Sequence, residues 1–151
     1  MATSSATLRI LWKAFAGGPL LFGAVAAVIA VTSTPPISPE PVNDAVYTLA
    51  GICFAFTGFS FLLANRLATL FAERQPADNR IASWILINMA IREGAALLGC
   101  TVFFIASQDG AVLAHPWLWT LLLPVLLFLA FSVAQYPSDD RIADISRQLT
   151  E

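Results

Sequence analysis

The chain has 151 residues, 58% of them hydrophobic and 12% charged, with a formal net charge of −2. A soluble domain is about one quarter charged, so this sequence has too few polar groups to cover a water-facing surface. One domain is the natural prior for this length, and the lack of any basic patch excludes nucleic acid as a partner.

Four apolar stretches are long enough to cross a bilayer, which takes about 20 residues. They run at roughly 14–31, 45–70, 81–105 and 116–136. The first carries Gly17, Gly18 and Pro19, which should bend it or start it. The connection that follows, "TSTPPISPEPVND", holds four prolines and excludes helix. Residues 73–80, "ERQPADNR", form a short polar turn, and residues 107–116, "SQDGAVLAHP", a third connection. The expected fold is an all-α membrane protein, with four transmembrane helices in an antiparallel bundle over residues 1–136 and a cytoplasmic amphipathic tail over 137–151.

The eight basic residues set the orientation. Arg9 and Lys13 precede the first span, Arg66, Arg74 and Arg80 flank the second connection, and Arg141 and Arg147 follow the fourth. The first and third connections have none, so the positive-inside rule places both termini in the cytoplasm of a cell (inner) membrane. Trp12, Trp84 and Tyr136 fall at the inner ends of the spans, and Tyr47, Trp117 and Trp119 at the outer ends, where aromatic rings prefer the headgroup level. The basic residues before the first apolar run resemble a secretory signal, but no clean A-x-A cleavage site lies just before the proline-rich loop, so the segment is expected to stay as a span. In the tail, Ser138 should cap a helix with Asp139 and Asp140 in its first turn and Ile142, Ile145 and Leu149 on one face.

The third span contains "INMAIREGAALLG", residues 87–99, with Arg92 beside Glu93. Glu93 lies twelve residues from Ile81 and twelve from Ile105, hence near the bilayer centre. A charge there costs about 2.5–3.5 kcal/mol, so both should face protein or a wet cavity. Adjacent helical residues diverge by about 100°, so each should find its own niche. Asn88 precedes Arg92 by four and shares its face. Ala90 and Gly94 widen a small surface beside Glu93. The second span offers Thr57, Ser60 and Asn65, and a small-residue stripe of Gly51, Ala55 and Gly58, which should meet Ala90, Gly94 and Ala95 or Leu97 in a close hairpin. Two readings of the cluster Glu93, Arg92, Asn88, Ser60 and Thr57 stand side by side. One is a structural polar knot in which the two charges loosely neutralise each other and hydrogen-bond Asn88 and its neighbours. The other is an ion or proton site built on Glu93. The knot implies that Glu93→Ala, which strands an arginine, costs more folded protein than Arg92→Ala.

No histidine pair, no Ser/His/Asp set and no metal-ligand spacing is present, so neither an enzyme, a cofactor nor a metal is expected. Cys53 and Cys100 sit in apolar runs as small buried hydrophobes. Pro124 is expected as a tolerated kink. The sequence points to a small non-catalytic subunit or assembly factor of a membrane complex, with the lipid bilayer, other membrane subunits or a second copy as partners. Proton or ion handling at Glu93 is the alternative, and a small transporter a second one.

The hairpin from about residue 46 to 105 resembles the rotary ATP synthase c subunit, the proteolipid. The turn residues Arg74, Gln75 and Pro76 match that family's cytoplasmic turn, and Glu93 within "REGAALLG" matches its proton-binding carboxylate. The resemblance implies membership of a multi-subunit membrane complex. Phe54, Phe56, Phe59 and Phe61, where the family is glycine-rich, Arg92 beside the carboxylate, and one extra span on each side depart from the pattern.

Overall fold

The computed structural model describes residues 5–34, 41–108 and 110–148. Most of the proline-rich connection, Asp109 and Leu149 of the expected tail face lie outside the described residues. Six helices follow one another: α1 Ser5–Thr32, α2 Asp44–Glu73, α3 Arg80–Gln108, α4 Ala111–Ala114, α5 Leu123–Ala134 and α6 Asp139–Gln148. Two 3₁₀ segments, Ala77–Asn79 and Pro116–Leu122, precede α3 and α5. No strand occurs among the described residues. Four helical stretches are long and apolar enough to cross a membrane: α1, α2, α3 and the composite Pro116–Ala134.

The helices extend past the apolar runs because polar ends propagate a helix once the apolar middle is fixed. So α1 begins at Ser5 and runs through Gly17, Gly18 and Pro19, which do not start it. Asn43 caps α2, its side chain accepting from the Ala45 amide at 2.9 Å, with Asp44 in the first turn at the positive dipole end. The fourth span departs most from expectation. Its first seven residues are 3₁₀, and Pro124 sits at the start of α5, where its missing N–H costs least.

The third span is the hub, with α3 packing against α1, α2, α5 and the 3₁₀ segment before α5, most extensively against α2. That explains its thirteen buried residues, which run from Ala82 to Ser107 and circle more of the helix than one stripe would. Each of α1 and α2 instead buries a single stripe. On α2 that stripe is Val46, Ala50, Cys53, Thr57, Ser60, Ala64, Ala68 and Ala72, spaced by three or four. The expected stripe of Gly51, Ala55 and Gly58 is wrong: all three are exposed, and a Cβ at Gly51 or Gly58 meets nothing within 4 Å. The alanines and Cys53 win because they recur along the whole helix, whereas the glycine set is only two turns long.

At one end of the molecule the tail closes on the first helix. Arg9 pairs with Asp139 at 2.6 Å and donates to the Pro137 carbonyl at 3.2 Å. Trp12 is buried against protein, its indole N–H donating to the Ser132 carbonyl at 2.9 Å. The Ser138 hydroxyl accepts from the Arg141 amide at 3.3 Å, the expected cap. Ile145 of α6 is buried in a cluster with Leu8, Trp12, Ala82 and Ile85, so the tail helix docks on the other helices. At the opposite end Tyr47 and Trp117 stack with centroids 5.3 Å apart.

Candidate functional site

Helices α2 and α3 run antiparallel in a steady register: Thr69 meets Trp84, and Asn65 meets Asn88. In this register Ser60 lies at the depth of Glu93, as the short turn implies. Depth is not direction, however. The Thr57 hydroxyl donates to the Cys53 carbonyl at 2.7 Å and Ser60 to the Thr57 carbonyl at 2.8 Å, so both are satisfied within α2. Neither reaches Glu93, and both leave the candidate site.

Arg92 is 2% exposed. Side chains on a helix lean toward its N-terminus, and the Arg92 guanidinium does so, donating to the Asn88 carbonyl at 3.3 Å. It also donates to Asn65 Oδ1 at 3.3 Å, the same oxygen that accepts from Asn88 Nδ2 at 2.6 Å. Its Cζ lies 3.9 Å from the Phe131 ring centroid and 5.3 Å from that of Phe61. These two rings meet edge to face at 6.3 Å. The cation is thus held by one carbonyl, one amide and two aromatic faces, an arrangement worth about 2 kcal/mol or more when dry. Arg92 Nε and Asn88 Oδ1 are buried without a hydrogen-bond partner among the described residues.

Glu93 takes no part in this. No ion pair joins it to Arg92, and among the described residues no hydrogen bond or ion pair reaches its carboxyl. It turns toward α1, where a Cβ added at Gly18 would stand 3.3 Å from its Oε1. The expected separate niches are there and Arg92 bonds Asn88, but no ion pair joins the two charges, and Glu93, expected near the second span or a partner subunit, lies against Gly18 of α1. Around it the surface is small and open: Gly17, Gly18 and Ala90 are exposed, and Glu93 itself is partly exposed. Next to it Gly94 faces Phe56, where a Cβ would meet the ring at 3.7 Å.

The turn residues are placed as the sequence suggests. Arg74 ends α2, its guanidinium 5.8 Å above the Phe71 ring, the Gln75 carbonyl accepts from Arg80 at 3.2 Å, and Pro76 opens the 3₁₀ turn. They lie at the charged end, far in sequence from Glu93. Cys53 and Cys100 are free thiols, both fully buried.

Sequence reasoning found Asn65 as a polar residue of the second span but not its role. The register from the turn would have paired it with Asn88. Phe61 and Phe131 carried no readable signal, because one phenylalanine among eleven does not announce a cation partner. No family model, curated protein or solved structure matches the chain.

Proposed function

We propose that the chain is a multi-pass protein of the inner membrane, with both termini cytoplasmic, serving as a small non-catalytic subunit or assembly factor that meets its partner at Glu93. One observation carries this reading. The chain holds both terminal nitrogens of Arg92 on Asn88 and Asn65 but leaves the adjacent mid-span carboxyl partly exposed and without a partner among its own described residues. An ionisable group stranded at that depth is costly unless another helix or a cavity receives it. The small residues Gly17, Gly18 and Ala90 beside it let such a helix approach closely. The partner helix, from another subunit or a second copy, offers a hydrogen-bond donor or a cation at mid-depth. The antiparallel arrangement of the four spans serves to present this face.

Proton handling at the same carboxyl is the second reading. It is favoured by the same turning away of Arg92, which forms no ion pair with Glu93. The proteolipid resemblance of Arg74, Gln75, Pro76 and Glu93 is in keeping with it.

Purification in mild detergent separates the two. Partner docking requires that a complex larger than the 16.2 kDa chain survive with wild type and be weakened in both Glu93→Gln and Glu93→Leu. Proton handling requires that the complex survive Glu93→Gln, while a hydrophobic carbodiimide labels the wild-type carboxyl and the label is lost in the variant. A wild-type chain that runs alone and stays unlabelled would defeat both.

A further inference from the structure

At the charged end α2, α3 and α6 enclose an open groove of about 510 Å³, lined by Asn65, Arg66, Thr69, Leu70, Trp84, Arg141 and Ile145. Its two charges are both positive, and no carboxylate lines it. Among the described residues neither Arg66 nor Arg141 has a carboxylate within ion-pair reach. The Arg141 guanidinium is steered by Gln135 Oε1, a neutral acceptor, which orients it without neutralising it. The Trp84 indole N–H is already bonded to Thr69 at 3.1 Å, so the ring forms a fixed wall.

A second observation lies behind the groove. Trp84, Arg141 and Ile145 also line a small cavity of about 10 Å³ bordered by Asn88. Asn88 is 1% exposed, and its Oδ1 has no partner among the described residues. Polar capacity thus continues inward from the groove, through Asn65, to the Arg92 niche.

We infer that this groove binds a phosphate-bearing anion between Arg66 and Arg141. Two guanidinium forks offer paired N–H donors to phosphate oxygens, the geometry for which arginine is suited. A phospholipid headgroup meets the shape as well as the charge. Leu62, Arg66 and Leu70 follow one another at four-residue spacing on one face of α2, and both leucines are exposed. An acyl chain can lie along Leu62 toward mid-span while its phosphate sits at Arg66. This placement rests on the membrane reading above but is independent of any role for Glu93. A soluble phosphate compound would use the same arginines without the leucine track.

Native mass spectrometry and thermal unfolding of the full chain test this with three probes: phosphatidylglycerol, phosphatidylcholine and sodium glycerol 3-phosphate. Phosphatidylglycerol is expected to stay bound and to raise the unfolding temperature, with phosphatidylcholine much weaker. Arg66→Gln and Arg141→Gln should each weaken binding about fivefold, and the pair more than twentyfold. Arg74→Gln, which removes the same charge outside the groove, should leave binding unchanged. Stabilisation by glycerol 3-phosphate equal to that by phosphatidylglycerol, and lost in the same two variants, assigns the site to a soluble phosphate. The inference is overturned if phosphatidylglycerol and phosphatidylcholine bind alike, or if Arg74→Gln weakens binding as much as the groove variants do. Circular dichroism of each unliganded variant separates lost binding from lost folding.

Discussion

A guanidinium that leaves water must replace several hydrogen bonds at once, and in Arg92 carbonyl, amide and ring faces share that task. Nothing in that set comes from Glu93. The sequence expectation that Glu93→Ala costs more folded protein than Arg92→Ala supposed a charge pair, and no ion pair joins the two residues. Arg92→Ala empties a niche built by Asn65, Asn88, Phe61 and Phe131, and should cost about 2–4 kcal/mol. Glu93→Gln keeps the shape and removes a charge that no described side chain uses, so in the isolated chain it should leave stability unchanged or raise it. Although the two residues are neighbours, they share no hydrogen-bond or ion-pair partner, so the double variant should show little coupling beyond the sum of the single changes. Thermal unfolding of the three proteins in detergent checks this; a double variant clearly more stable than that sum would restore the charge pair. The sequence carried the need for two niches, because adjacent helical positions diverge whatever the fold. It did not carry their direction, which depends on which neighbour lies at each azimuth of α3.

The small residues of the helices divide into two kinds at the element scale. Gly99 of α3 is pressed against the chain before α5: a Cβ there would stand 2.6 Å from the Leu121 carbonyl oxygen and 3.2 Å from Pro124 Cγ. Backbone at that distance cannot give way cheaply. Gly99→Ala should cost about 1–3 kcal/mol, as over-packing does. Gly58 of α2 has open space, so Gly58→Ala should be neutral or slightly stabilising through helix propensity. Unfolding temperatures of the two variants decide this, and a Gly58→Ala loss as large as that of Gly99→Ala would mean that α2 packs by its glycine face after all. The existence of each long helix was legible from its apolar run, and the hairpin of α2 and α3 from its short turn. The packing face of α2 was not, since glycine and alanine both pass for small and only the spacing along all 30 residues tells them apart. The 3₁₀ opening of the fourth span was equally hidden, because Pro124 marks a boundary without saying what lies before it.

At the charged end of the molecule the tail helix is tied down beside the arginine-lined groove. Arg9, Trp12 and Ile145 tie α1 and α6 to the other helices. Ile145→Asp should therefore release α6 and make tryptophan fluorescence more accessible to iodide, with helix content nearly unchanged; unaltered quenching would mean that the tail holds without its buried isoleucine. Mid-depth is different, because there a partly exposed Glu93 sits beside exposed Gly17, Gly18 and Ala90, and no described side chain bonds its carboxyl. The central claim is that another helix packs on this face. Ala90 is exposed one turn before Glu93, so a benzophenone amino acid placed at position 90 reports what lies there in the native membrane. The account expects light-induced crosslinks to protein, giving a discrete heavier band that Glu93→Leu removes. Crosslinks to lipid alone, identical with and without Glu93→Leu, would contradict it.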